Sequence, residues 1–273
     1  MAGPGPSAFP ATEHAEQPGP VAAPTPAAAP RAPAPPPEAR ALFGPALGLA
    51  ERYADLLAGP AVERGLIGPR ETARLWDRHL MNCAALAELV PHPASVIDLG
   101  SGAGLPGIVI AILVPDVRVV LLEPMARRAA FLEECVRDLR LGNATVRRGR
   151  AEDLAGELTA DVVVARAVAP MQRLAGLALR LARPGGLVLA LKGAGAEQEL
   201  ARARGVLRRL GARDAAVVQA GSGRVSPAAT VIRLTAAPGV SRGRALAPAR
   251  PGARPGRAAG KAGPPQKPGG AAT

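Results

Sequence analysis

Cysteine is scarce in this chain of 273 residues: Cys83 and Cys135 stand alone, with no C-x-x-C spacing. That argues against a disulfide framework or a zinc site and leaves two reduced thiols in predicted helices. Long apolar runs are missing as well, because the longest, Ile108 to Val114, is far too short to span a bilayer. No basic segment followed by an apolar stretch opens the chain, so neither a signal peptide nor a membrane association is expected, and the cytoplasm is the expected location. Histidine is rare too. Past residue 38 only His79 and His92 occur; His92 lies between prolines, and His79 suits a hydrogen-bonded structural position better than a general base.

Bulky residues are absent from both ends. Residues 1–38 are almost wholly Ala, Pro and Gly, and residues 239–273 are Arg, Pro, Gly and Ala. Neither segment can offset chain entropy by burial, so both are expected to be disordered tails. The expected organisation is therefore a small helical cap over 39–92 and a larger domain over 93–238. Acids are missing from the C-terminal tail, which carries seven cations, whereas the N-terminal tail sums to −2; of the formal +12, +7 thus stays with residues 39–238. A basic core with a basic tail suits RNA or DNA, although arginine-rich coding would leave the same bias.

What the chain does have is alternation. From Ala41 to about Val90, apolar residues recur at helical spacing, including Leu42, Leu49, Tyr53, Leu57, Trp76 and Leu80, with breaks at Gly59-Pro60 and Gly68-Pro69. Trp76 reads as core rather than as a base-stacking platform. Downstream, SVIDLG, RVVLLE, ATVRRG, DVVVARAV, GLVLALKG, DAAVVQA and ATVIRLTA read as strands with helical segments between them. One of those helices, ARRAAFLEECVRDLR, is expected to end at Gly142. Continuous apolar strands separated by helices imply an α/β fold. Its seven-stranded, mostly parallel sheet is covered on both faces, and the short last connection implies an antiparallel final pair.

The stretch that constrains chemistry is VIDLGSGAGLPG, Val96 to Gly107. Gly100, Gly102 and Gly104 permit a tight strand-to-helix turn that brings backbone N–H groups close to a ligand. Asp98, two residues before the first glycine, would repel a pyrophosphate and suits a ligand carrying an ammonium and a sulfonium, as S-adenosylmethionine does. Glu123 ends the next strand, where a carboxylate can accept two ribose hydroxyls. A glycine turn without ligand and a nicotinamide site are the alternatives. Ligands of open α/β sheets bind beyond the carboxyl ends of the strands, which adds Ala151, Glu152, Arg166 and Lys192 to the same rim. Arg166 is an odd residue to end a buried strand and is expected to meet ligand or substrate, and Lys192 to meet a phosphate. Glu152 could orient the adenine or merely begin an exposed helix.

The segments VIDLGSGAGLPGI, LLEPMARRAAFLEE, GRAED, ARAVAP and LALKG follow one another across roughly residues 75–200. In this order they resemble the bacterial 16S ribosomal RNA guanine-N7 methyltransferases, the glucose-inhibited division protein B family. Upstream, in RHLMNCA, Asn82 and Cys83 stand where the family commonly carries an acid and a hydroxyl. The resemblance implies a class I S-adenosylmethionine-dependent methyltransferase fold, Rossmann-like, acting on N7 of a guanine in the 530 loop of 16S rRNA. The substrate would be naked 16S rRNA or the small ribosomal subunit, the enzyme a monomer with no metal. It further implies that Gly100, Leu105, Glu123, Ala151, Glu152 and Arg166 hold the cofactor; the charge argument adds Asp98 and the glycine turn adds Gly102. No catalytic residue is singled out, with Arg166 and Lys192 as candidate substrate contacts. Guanine N7 carries an in-plane lone pair and no proton, so alignment can suffice. A cytosine-C5 enzyme would need a positioned cysteine at a strand end. An adenine-N6 enzyme would need Asn-Pro-Pro-Tyr where this chain has Ala165-Arg166-Ala167-Val168. The competing functions are a non-catalytic RNA-binding module with a vestigial pocket and a methyltransferase acting on a small molecule or protein.

Overall fold

The computed structural model describes residues 31–166, 168–238 and 244–245. Most of the two tails expected to be disordered, residues 1–30, 239–243 and 246–273, lies outside these. The cap is helical: α1 (Pro37–Phe43), α2 (Leu47–Ala58), α3 (Pro60–Glu63), a 3₁₀ segment (Pro69–Arg74), a π-helical stretch (Leu75–Leu80) and α4 (Met81–Ala87). The larger unit then runs β1 (Ala94–Leu99), α5 (Gly107–Leu113), β2 (Val117–Glu123), α6 (Ala126–Asp138), β3 (Ala144–Arg148), α7 (Ala151–Leu154), β4 (Leu158–Arg166), α8 (Met171–Leu181), β5 (Ala182–Lys192), α9 (Ala196–Arg209), β6 (Ala212–Ala220) and β7 (Ala229–Ala236).

The strands lie in the order β3-β2-β1-β4-β5-β7-β6. The first five are mutually parallel, and β7 runs antiparallel to both β5 and β6. This is the mostly parallel seven-stranded sheet expected from the alternation, with the reversed strand of the class I methyltransferase arrangement. A two-residue strand, β8 (Arg244–Ala245), additionally pairs with Leu158 and Thr159 at the start of β4.

Side chains that alternate along each strand feed two apolar layers, which is why the strands are apolar without interruption. Val96, Val119, Leu121, Val162, Val164 and Leu189 face α5, α6 and the cap. Ile97, Leu99, Val120, Val163 and Val188 face α7, α8 and α9. The cap thus extends one helical layer: α2 and α4 pack on α5, and α4 reaches the β5–β7 part of the sheet. At the strand starts, Asp161 of β4 accepts hydrogen bonds from the Ser95 amide at 2.7 Å and the Ser95 hydroxyl at 2.6 Å, locking β1 to β4.

Two boundaries differ from the sequence expectation. Residues 31–36, placed with the disordered N-terminal tail, belong to the cap. The Ala32 amide donates to Asp55 at 2.9 Å, and the Trp76 indole donates to the Pro33 carbonyl at 2.8 Å. Trp76 itself is core, edge-on to Phe43 with ring centroids 5.9 Å apart. Helix α6 ends before Gly142. Arg140 takes the left-handed conformation (φ 55°), with its amide on the Arg137 carbonyl and the Leu141 amide on the Val136 carbonyl. That is the paired hydrogen bonding of a Schellman end, here with arginine in the position glycine usually fills.

Candidate functional site

The glycine turn sits where β1 leaves the sheet. The Gly100 and Ser101 amides both donate to the Leu122 carbonyl, at 2.9 and 3.1 Å, so the turn is fastened to β2. Gly100, Gly102 and Gly104 have φ of 70°, 61° and 97°, which side-chain-bearing residues rarely adopt. At Gly104 space matters as well: a Cβ would fall 2.4 Å from Ile108 Cδ1 and 2.8 Å from Tyr53 Oη. The Tyr53 hydroxyl, brought in by cap helix α2, donates to the Ala103 carbonyl at 2.8 Å. Burial keeps that phenol protonated, its pKa raised well above the usual value.

Asp98 lies fully buried beneath this turn. Its Oδ2 accepts from the Ser101 hydroxyl at 2.5 Å and from the Gly107 amide at 3.0 Å, while Oδ1 has no hydrogen-bond partner. Burial pushes its pKa from 3.8 up to about 6; the two hydrogen bonds oppose the shift, nearby Glu123 adds to it and Arg166 reduces it. Buried polar atoms are nearly always paired. A carboxylate oxygen left unpaired inside a glycine cradle fits the cationic methionyl end of S-adenosylmethionine.

Glu123, also buried, accepts the Gly102 amide on Oε2 at 2.9 Å and the Met125 amide on Oε1 at 3.0 Å. Each oxygen keeps a second lone pair, so the carboxylate can hold the turn and still accept ribose hydroxyls. Beyond it, Ala151 is buried at the start of α7, and Glu152 is exposed there. Leu105 is half-buried against the cap-side core.

Arg166 ends β4 half-buried, and its guanidinium turns to the cap. It donates to His79 Nδ1 and, at 3.6 Å, to Cys83 Sγ. His79 Nε2 then bonds Glu71 Oε2 at 2.8 Å. Burial, and then the Arg166 charge, hold the His79 pKa below its usual value. The neutral tautomer with the proton on Nε2 satisfies both neighbours. His79 is therefore the holder of Arg166, a more specific task than the structural place expected for it. The Cys83 thiol is pushed up to about 11 by burial and stays protonated.

Asp98, Glu123 and Arg166 thus come together around Gly100 and Gly102. Lys192 does not join them. Its side chain is 11% exposed, and Nζ donates to the Ala169 carbonyl at 3.0 Å and to Glu199 Oε1 at 2.8 Å. The same Glu199 oxygen accepts the Met171 amide at 2.6 Å. Lysine and glutamate therefore staple the loop between β4 and α8, and they line a neighbouring cavity of about 510 Å³ with Gln172 and Arg202. Rather than presenting an unengaged ammonium to a phosphate, Lys192 braces the rim from within.

Ser101, Tyr53 and Glu199 escaped the sequence reading as site residues, and so did Met125 and Val168. Those last two are the exposed large hydrophobic residues among the described part of the chain, at 46% and 38%. Both stand on this rim: Met125 two residues past Glu123, and Val168 with Cγ2 3.1 Å from where a Gly100 Cβ would be. The signal available was position, since each is an apolar residue two positions after a charged strand end.

Residues 47–226 match the family GidB, described as rRNA small subunit methyltransferase G. Proteins named ribosomal RNA small subunit methyltransferase G are similar over most of their length. The one from Thermobifida fusca is 58% identical over 212 residues, covering 78% of this chain and 90% of that protein. The one from Salinispora tropica is 52% identical over 227 residues, covering 79% and 91%. A third, from Streptomyces coelicolor, is 52% identical over 200 residues, covering 73% and 84%. With a methyltransferase sheet, a glycine cradle over an unpaired acid and this similarity across nearly the whole folded region, the chain belongs to the GidB family of small-subunit rRNA methyltransferases.

Proposed function

We propose that this protein transfers the methyl group of S-adenosylmethionine to N7 of a guanine in 16S rRNA. The observation that carries the chemistry is the unpaired oxygen of buried Asp98 within the glycine cradle, and family membership carries the substrate. When bound, S-adenosylmethionine supplies a methyl group made electrophilic by its sulfonium. Asp98 would hold the cationic methionyl end and Glu123 the ribose hydroxyls, with Gly100, Gly102, Leu105, Ala151 and Glu152 forming the rest of the pocket. Arg166, fixed by His79 and Glu71, stands between the pocket and the cap and would meet the substrate side.

The acceptor has no proton to lose before it attacks, so the residues need only align it and exclude water. Three nearby groups that could have served as a base are not free to do so. His79 is committed on both nitrogens, and the Tyr53 phenol and Cys83 thiol are kept protonated by burial. The RNA-binding module with a vestigial pocket is not favoured, because the relatives matched over most of their length are named methyltransferases. Among the described residues no helix is long and apolar enough to cross a membrane. Action in the cytoplasm as a single chain completes the reading.

The test is labelled methyl transfer by the purified protein to naked 16S rRNA and to small ribosomal subunits, with the product base identified. Label at N7 of one guanine is expected. Label confined to small molecules or proteins, or robust nicotinamide dinucleotide binding without affinity for S-adenosylmethionine, would overturn the proposal.

A further inference from the structure

We infer that the rRNA backbone is gripped by a cluster of arginines on the β2–β3 side of the cofactor rim: Arg127, Arg128, Arg148 and Arg150. This assignment rests on the rRNA-methyltransferase reading and adds which face of the molecule takes the RNA. Glu123 and Arg148 are register partners across β2 and β3, and the Gly149 amide donates to the Glu123 carbonyl at 3.2 Å. The cluster therefore begins at the cofactor cradle itself. Arg127 and Arg128 lie in the first turn of α6, which opens three residues past Glu123, and Arg150 caps the start of α7. Arg127, Arg148 and Arg150 are exposed, and Arg128 is half-buried.

None of the four forms an ion pair among the described residues, whereas Arg147 beside them meets Glu157 at 3.6 Å. Glu152 and Asp153, at the start of α7, are likewise not paired with them. Helix chemistry does not account for the cluster either. Cations are favoured at helix C-termini, where Arg137, Arg180, Arg208 and Arg209 stand. Two arginines in the first turn of α6, with no acid there, oppose the helix dipole. Guanidinium groups without ion pairs among the described residues, beside the cradle of an enzyme whose substrate is a polyanion, match phosphodiester oxygens, which guanidinium binds in paired hydrogen bonds. β3 is the edge strand, so this flank is open to a long partner.

The experiment compares the full chain with the triple variant Arg127→Gln/Arg148→Gln/Arg150→Gln and with the control Arg208→Gln/Arg209→Gln. Binding to small ribosomal subunits is measured directly across a salt series, alongside KM for methyl transfer, S-adenosylmethionine affinity and melting temperature. Each phosphate that is no longer neutralised lowers the slope of log K against log salt by about 0.7–0.9, so the triple variant should lose about 2 to 3 from the slope. It should also raise KM at least tenfold, with cofactor affinity and melting temperature kept. The control should match the parent. An unchanged slope in the triple variant, or an equal loss in the control, overturns the assignment. Because binding is read apart from catalysis, subunits that bind with the expected slope but accept no methyl group would refute the proposed reaction and leave this surface standing.

Discussion

Replacing Asp98 by asparagine should stabilise the protein while weakening its hold on the cofactor. Burial raises the Asp98 pKa from 3.8 to about 6. At 1.36 kcal/mol per unit, keeping this group ionised in the folded state costs about 3 kcal/mol at neutral pH. The folded protein binds this proton more tightly than the unfolded chain, so the penalty is complete above pH 6 and fades as pH falls toward 4. Asparagine carries no charge and can still accept from Ser101 and Gly107. Its amide would take the unpaired Oδ1 position, and an unsatisfied donor there returns about 1 kcal/mol or more of the gain. Urea unfolding at pH 7.5 should therefore show the variant about 1–2 kcal/mol more stable than the parent, with the advantage shrinking in acid. Titration calorimetry should show S-adenosylmethionine affinity falling at least tenfold, because the carboxylate that faces the ligand's cation is gone. A variant less stable than the parent at pH 7.5, or one that binds the cofactor equally well, would refute the reasoning.

Three further outcomes are expected. His79→Ala should lower kcat/KM at least tenfold with little change in cofactor affinity, because Arg166 loses its holder. In the parent, the stability that neutral His79 contributes is present above pH 6.5 and is lost as pH falls through its lowered folded pKa, so activity should drop on that side and equilibrium unfolding should follow it. Gly104→Ala should destabilise by about 2–4 kcal/mol, combining a left-handed backbone with a Cβ 2.4 Å from Ile108; urea midpoints measure it. Arg140→Gly should raise stability by about 0.5–1 kcal/mol by relieving the left-handed arginine that ends α6, read as a higher melting temperature at unchanged activity.

The sheet was legible because both of its faces are buried, so Val162 to Ala165 and its neighbours run apolar without a gap. The placement of Asp98 and Glu123 at the glycine turn was legible because each lies at the end of an apolar strand beside it, whereas their hydrogen bonds to Ser101, Gly107, Gly102 and Met125 were not. The ends were harder. Residues 31–36 are held partly through backbone groups of Ala32 and Pro33, which leave no trace in side-chain periodicity. Gly142 looked like the natural end of α6, yet the buried Leu139 and Leu141 place the turn at Arg140. The partners of the rim cations were hidden by distance along the chain: Arg166 meets a histidine 87 positions away. Lys192 meets Glu199, which belongs to the next helix and also holds Met171. Sequence spacing could mark these cations as unusual, but only the fold reveals that the cap and α9 hold them.

The most direct measurement is the mapping of N7-methylguanine in 16S rRNA from cells with the gene, without it, and complemented with the parent or the Asp98→Asn variant. One N7-methylguanine should vanish on deletion, return in full with the parent and return only in part with the variant. Identical N7-methylguanine in all four strains would contradict the account.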